Sequence, residues 1–185
     1  MRPPAGRDKI LDAALDLFAE KGFHATSVDQ IAKRAGVSKG LTYNYFSSKE
    51  ELLIAIIDNT SSEMTKVARN HLASAGYQIA LRDMLAQLGT MLTSRKKLLS
   101  FQLSLLFDPK LQDVADAPMK KRARKLLYES ERLFMRAGAR DPKATARRFV
   151  AELDGIALHY LRLYDDYPLE ATLVAVYENY KMVGR

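Results

Sequence analysis

Residues 36–52 read GVSKGLTYNYFSSKEEL, and this stretch decides the fold class of the chain. Gly36 is a typical helix end, and Ser38, two residues later, is a good N-cap for a new short helix. Just upstream, Ser27 and Gln30 have the spacing of a capping box that opens a short helix ending at Gly36. Two short helices joined by a turn of three or four residues around a glycine predict a helix-turn-helix, whose second helix can enter the DNA major groove.

Helical periodicity recurs along the rest of the chain, whereas the signals of strands and hairpins are scarce. Clusters of glycine, proline and aspartate divide the pattern into about nine helices, so we predict an all-α fold. A fourth helix is expected to start with a capping box formed by Ser48 and Glu51. We place a helix-turn-helix DNA-binding domain at residues 1–50 and a helical domain at residues 51–185.

The predicted third helix carries groups that suit a DNA groove. Lys39 and Asn44 are polar and five residues apart, so both can lie toward the groove on one short helix. Gly40 allows the backbone to approach closely, and Tyr43 and Tyr45 offer hydroxyls of the kind that bind phosphates. The alternative is a tyrosine-rich helix that belongs to the core and lysines that are merely solvated.

Lys49 stands in the first turn of the predicted fourth helix, where the helix dipole disfavours a cation. A DNA phosphate beside the ammonium group would offset this conflict. The sequence therefore predicts that Lys49 contacts the DNA backbone.

The block from residue 7 to residue 52 resembles the DNA-binding domain of the TetR family of bacterial transcriptional regulators. The resemblance is carried by RDKILDAA at 7–14, GFHATSV at 22–28, SKG at 38–40, YF at 45–46 and SKEEL at 48–52. It implies a three-helix DNA-binding domain followed by a helical domain that binds small ligands and dimerises.

The same resemblance implies roles for individual residues. Lys39, Gly40 and Asn44 would contact bases, whereas Ser27, Tyr43, Tyr45 and Lys49 would hold the DNA backbone. Phe18, Ile31 and Phe46 would form the small core. The full set of implied DNA-contact residues is Ser27, Ser38, Lys39, Gly40, Leu41, Tyr43, Asn44, Tyr45 and Lys49.

Two positions depart from the family pattern. Thr42 stands where members usually have a larger apolar residue, and its neighbour Leu41 is the apolar one. Two interpretations stay open: Leu41 contacts a thymine methyl group, or the helix is rotated slightly from the family norm. Asp29 stands where some members carry a base-reading arginine. Because an acid in the first helical turn suits the dipole, we do not expect Asp29 to contact DNA favourably.

Two apolar stripes at helical spacing near the end of the sequence are candidates for a dimer interface. One recognition helix reads only a few base pairs, so a homodimer on a near-palindromic operator would gain affinity and specificity. The predicted interface residues are Phe149, Leu153, Ile156, Tyr160, Tyr164, Leu173 and Tyr177.

A pocket for an unidentified small molecule is expected among helices five to eight, with a mostly apolar wall. The alternative is that most of these side chains are plain core, as methionine and aromatic residues at helical spacing usually are. The predicted lining residues are Met84, Leu88, Met91, Phe101, Gln102, Leu105, Tyr128, Phe134 and His159.

The formal charge of +7 is concentrated outside the helix-turn-helix, in a basic run from residue 120 to residue 148. Three interpretations of this run stay open. It can be a solvated face, a lobe that contacts acidic partners, or the mouth of a pocket that attracts an anionic ligand.

Other function classes find little support in the sequence. The chain lacks cysteine, an apolar secretory start and any run near the ~20 apolar residues of a membrane span, so we predict a cytoplasmic protein. His24, His71 and His159 lack metal-ligand spacing, and we expect neither a metal nor a cofactor. No catalytic motif is present, which argues against an enzyme. A DNA-binding protein without an effector and an activator stay as alternatives to a repressor.

Overall fold

The computed structural model describes residues 4–59 and 76–184 of the chain, so that the first three residues and His71 lie outside the described part. These ranges contain nine α-helices, one π-helical turn and no strand, which confirms the predicted all-α fold. The helices are α1 (Pro4–Lys21), α2 (Val28–Ala35), α3 (Lys39–Tyr45), α4 (residues 49–59), α5 (Tyr77–Ser94), α6 (Lys96–Leu105), α7 (Gln112–Arg136), α8 (Pro142–Leu158) and α9 (Leu169–Tyr180).

The described residues form two compact units. The N-terminal unit takes in residues 4–59 together with 97–119, and the C-terminal unit takes in residues 76–96 together with 120–184. Residues 51–59 therefore pack with the helix-turn-helix, as does the segment 97–119. The functional domain boundary after residue 50 stays a prediction, because a packing unit is not by itself a functional domain.

The core of the N-terminal unit is built mainly of apolar side chains from α1, α2, α4 and α6, and it is completed by Phe23, Phe46, Leu111 and Ala115. The predicted core residues Phe18, Ile31 and Phe46 are all buried there. Phe18 packs its ring against those of Phe23 and Phe101, with centroids 5.1 and 5.8 Å away. The α4 side chains in this core are Leu52, Leu53, Ile56 and Ile57, and the α6 side chains are Leu98, Phe101 and Leu105.

An exposed cluster of charges joins α1, α2 and α6 within the same unit. The Glu20 carboxylate accepts from Arg34 Nη2 at 3.0 Å and from Lys97 Nζ at 3.1 Å. Asp16 lies 3.9 Å from Arg34 and 3.7 Å from Lys97. Hydrogen bonds from Arg34 and Lys97 lower the pKa of Glu20 from 4.5 to about 2.

This lowered pKa predicts how acid affects the N-terminal unit. The stabilisation from ionised Glu20 is complete above its ordinary pKa of 4.5 and is lost as the pH falls toward about 2. We expect Glu20→Gln to flatten the fall in melting temperature between pH 5 and pH 3, as measured by circular dichroism. The matched control is Asp12→Asn, which removes an exposed acid from the same helix and should keep the wild-type slope. Equal slopes in wild type and Glu20→Gln would contradict this prediction.

The C-terminal unit is built around an aromatic cluster. Phe134 on α7 lies 5.3 Å from Phe149 on α8 and 5.5 Å from Tyr180 on α9, measured between ring centroids. The Tyr77 hydroxyl on α5 donates to the Tyr180 carbonyl at 2.7 Å, so four helices meet at these rings. The α5 and α9 backbones come close enough that a Cβ at Gly89 would lie 3.0 Å from the Leu173 side chain.

A π-helical turn, His159–Leu163, follows α8 directly. The turn ends where the Tyr164 amide donates to the His159 carbonyl at 3.1 Å, five residues back. The wider turn changes the direction in which later side chains point, and Tyr164 is 54% exposed.

Candidate nucleic-acid interface

The α2 helix is fixed at both ends by the residues that the sequence identified. The Ser27 hydroxyl accepts from the Gln30 amide at 3.3 Å, and the Gln30 side chain accepts from the Ser27 amide at 2.9 Å. Gly36 adopts the left-handed conformation with φ of 67°, and its amide donates to the carbonyls of Ala32 and Lys33. The predicted capping box and glycine turn are therefore confirmed.

The α3 helix begins at once after this turn, with the Ser38 hydroxyl accepting from the Leu41 amide at 3.1 Å. Thr42 is the fully buried residue of α3, and Leu41 is half-buried. The small threonine therefore occupies the inner face of the helix.

Four predicted DNA-contact residues share the outer face of α3. Lys39, Gly40, Tyr43 and Asn44 are exposed, as expected for positions one turn apart on a short helix. Tyr45 differs, since its ring is half-buried and packs against the core cluster. The helix thus presents two pairs of neighbouring residues on one open surface, with three side chains and the bare backbone of Gly40.

Lys49 lies at the start of α4 and uses its ammonium group within the protein. Its Nζ donates to the carbonyls of Phe23 at 2.8 Å and Thr26 at 2.9 Å, and lies 4.3 Å from the centroid of the Phe23 ring. These groups offset the unfavourable helix dipole without any phosphate, which the sequence argument did not foresee. A contact of Lys49 with DNA stays a prediction.

The second predicted capping box forms only in part. The Ser48 hydroxyl accepts from the Glu51 amide at 3.2 Å as expected. The Glu51 carboxylate, however, accepts from the amide and the hydroxyl of Ser47, at 2.6 and 2.7 Å. These two hydrogen bonds lower the pKa of Glu51, and the prediction that Glu51 would cap Ser48 is wrong.

Asp29 and Lys39 connect the two helices of the motif on its exposed side. Lys39 Nζ lies 2.8 Å from one carboxylate oxygen of Asp29 and 3.1 Å from the other. The neighbouring carboxylate raises the pKa of Lys39. Because only polar type and helix position were visible in the sequence, the pairing of these two residues was missed.

Residues 10–56 match the family model described as bacterial regulatory proteins, tetR family. The chain belongs to the TetR family. The match covers most of α1, all of α2 and α3, and most of the described part of α4. It therefore includes the exposed face of α3.

Two curated relatives show how far the likeness of sequence extends. The transcriptional regulator YuxN of Bacillus subtilis is 31% identical over 157 residues, which cover 82% of this chain and 52% of YuxN. The transcriptional repressor Rv3405c of Mycobacterium tuberculosis is 41% identical over 68 residues, 35% of this chain and 36% of the repressor. The chain thus spans about half of one relative and about a third of the other.

A solved structure extends the likeness of fold to nearly the whole chain. The fatty acid degradation regulator FadR from Bacillus halodurans superposes with a TM-score of 0.79 over 96% of this chain and 95% of that one. The sequence identity is 23%, so this comparison establishes the TetR-family fold alone. All three proteins are regulators by name, and none is an enzyme.

The predicted ligand-pocket residues of this TetR-family chain fall into different environments. Phe101 and Leu105 belong to the core of the N-terminal unit, and Gln102 beside them is buried. Phe134 lies inside the aromatic cluster of the C-terminal unit, whereas Tyr128 is 59% exposed. In the same unit Met91 is buried, and Met84, Leu88 and His159 are half-buried.

The structure offers a different cavity in the C-terminal unit. A cleft of about 680 Å³ lies between the end of α7 and the start of α8, and none of the nine predicted pocket residues lines it. Three cations of the basic run, Arg140, Lys143 and Arg148, border it together with Glu131 and Asp141. Because two carboxylates accompany the three cations, the cleft does not decide among the interpretations of the basic run.

The predicted dimer residues divide by exposure. Phe149, Leu153, Ile156 and Leu173 are buried within the chain, so helical periodicity found an apolar face that packs inward. Tyr160, Tyr164 and Tyr177 are half-buried or exposed and can reach a second chain. A dimer contact through any of the seven stays a prediction.

Within residues 4–59 and 76–184, no helix combines the length and the apolar character of a membrane-spanning segment. In the same ranges, no three histidine, cysteine, aspartate or glutamate side chains gather as a metal site would require.

Proposed function

We propose that this chain is a homodimeric transcriptional repressor that binds a near-palindromic operator in the cytoplasm. The observation that carries the proposal is the outer face of α3, where Lys39, Gly40, Tyr43 and Asn44 are exposed together while Thr42 anchors the helix inward. Side chains on such a face can reach base edges in the major groove. The relative Rv3405c is named a repressor, which supports repression over activation here.

A small molecule that binds the helical part of the chain would release the operator. Such a ligand acts only if it binds the released conformation more tightly than the DNA-bound one. The side chains Leu52, Leu53, Ile56 and Ile57 of α4 are buried in the N-terminal core. Any displacement of α4 would therefore move the recognition helix with it, and two recognition helices must stay about 34 Å apart to fit one turn of DNA.

The decisive experiment measures fluorescence anisotropy on affinity-selected and random DNA across a salt series. We expect Asn44→Ala to relax specificity at one base position, at a cost of about 1–3 kcal/mol on the preferred site. Tyr43→Phe removes one hydroxyl and should weaken all sequences alike, by about 1 kcal/mol.

The matched control is Asn179→Ala, which changes an exposed asparagine on α9 and should leave DNA binding unchanged. Two protomers per selected site would support the homodimer. Unselective binding that neither Asn44→Ala nor Tyr43→Phe alters would overturn the proposed function.

A further inference from the structure

The ion pair between Asp29 and Lys39 lies on the surface that the proposed function turns toward DNA. Both side chains are more than half exposed, at 63% and 57%. They come from different helices, Asp29 from the first turn of α2 and Lys39 from the first residue of α3. An exposed ion pair contributes only about 0–1 kcal/mol to stability, so the fold has little need of it.

The spacing of this pair matches the hydrogen-bonding edge of a base pair. Lys39 Nζ and the two Asp29 carboxylate oxygens are 2.8 and 3.1 Å apart. In a base pair, the major-groove donor and acceptor that bond to each other are also separated by about 2.9 Å. A lysine donor and an aspartate acceptor at this spacing can therefore lie against a base acceptor and a base donor side by side.

We propose that Asp29 and Lys39 together read one G·C base pair, Lys39 donating to guanine and Asp29 accepting from the cytosine amino group. This inference rests on the proposed function, and it reverses the expectation from the sequence that Asp29 avoids DNA. A carboxylate would repel phosphates, which leaves the base edges as the DNA groups it can bind.

The hydrogen-bonding groups that the bases present in the major groove favour G·C over A·T both at Lys39 and at Asp29. Guanine presents N7 beside O6, so the ammonium group finds two acceptors, and the cytosine N4 amino group next to them suits the carboxylate. On an A·T pair the ammonium group would lie over the thymine methyl group when it bonds to O4. The carboxylate would then lie next to adenine N7, an acceptor that repels it.

The pair also has a consequence for binding to DNA of any sequence. Asp29 neutralises Lys39, so the paired lysine adds little to the attraction of phosphates. Removing the carboxylate would free the ammonium group for a phosphate, and the slope of log affinity against log salt would steepen by up to about 0.9.

The test compares wild type with Asp29→Ala, Lys39→Met and the double variant on the selected operator and on every single base-pair replacement of it. For wild type, one G·C pair per half-site is expected to lose about tenfold in affinity when replaced by A·T. Asp29→Ala should erase that preference, bind random DNA more tightly and show the steeper salt slope. Because the two residues act as a unit, the double variant should lose no more of the base preference at that position than either single variant does.

Asp12→Ala serves as the control, because it removes an exposed acid of the same N-terminal unit that belongs to α1 and not to α2 or α3. Its base preferences should equal those of wild type. Preferences that are unchanged in Asp29→Ala, or altered equally in Asp12→Ala, would overturn the proposal while leaving the proposed function intact. A wild-type protein that selects no sequence would overturn both.

Discussion

Replacing Phe134 with alanine is expected to lower the free energy of unfolding by about 3–5 kcal/mol. The ring is fully buried, and its centroid lies within 6.2 Å of those of Tyr77, Phe149 and Tyr180. Truncation would leave a cavity that these three rings, each held on a different helix, cannot close. Urea denaturation followed by circular dichroism measures the effect.

Tyr128→Ala is the matched control for this change. Tyr128 belongs to the same helix and to the same predicted pocket set, yet it is exposed, and we expect its loss to change stability by no more than about 0.5 kcal/mol. If Phe134→Ala kept wild-type stability and instead abolished a ligand response, the pocket role from the sequence would stand and the core role would be wrong.

Lys49→Ala is expected to destabilise the chain by about 2 kcal/mol, because hydrogen bonds to charged groups are among the stronger ones. The change removes the ammonium donor from the carbonyls of Phe23 and Thr26 and takes the cation away from the Phe23 ring. The Phe23 carbonyl keeps the Thr26 amide as a donor at 3.2 Å. Thermal unfolding at neutral pH reports this loss directly. DNA binding should fail at temperatures where the variant is unfolded and recover on cooling.

Lys33→Ala provides the comparison, since Lys33 is an exposed lysine on α2. It should melt as wild type does. A Lys49→Ala protein that also melted as wild type but bound every DNA sequence more weakly would show a phosphate contact, as the sequence alone predicted.

Local chemistry explains which parts of the motif were predictable. Helix caps depend on residues three positions apart, so Ser27 with Gln30 and the glycine at residue 36 could be placed from the sequence. The same rule failed at Glu51, where Ser47 and Ser48 are adjacent hydroxyl residues and the carboxylate accepts from the first of them. Sequence spacing alone does not distinguish between two hydroxyl residues that are adjacent in the chain.

Contacts between residues far apart in the chain could not be predicted from the sequence, for a different reason. Helical periodicity correctly found that Phe149 and Leu153 share an apolar face, but it does not say whether that face meets the same chain or a second one. The carbonyls that bind Lys49 lie 23 and 26 residues upstream, and backbone carbonyls carry no sequence signal. The candidate site was therefore predictable in its α3 residues and not in its supporting contacts.

The turn at His159–Leu163 bears on how this region responds to a change in length. A π turn closes its hydrogen bond five residues back instead of four, so it holds one more residue than an α-helical turn does. A relative one residue shorter between 159 and 163 would continue α8 without interruption. It would also present its counterpart of Tyr164 about 100° around the helix axis, so a one-residue change of length here would redirect this aromatic ring.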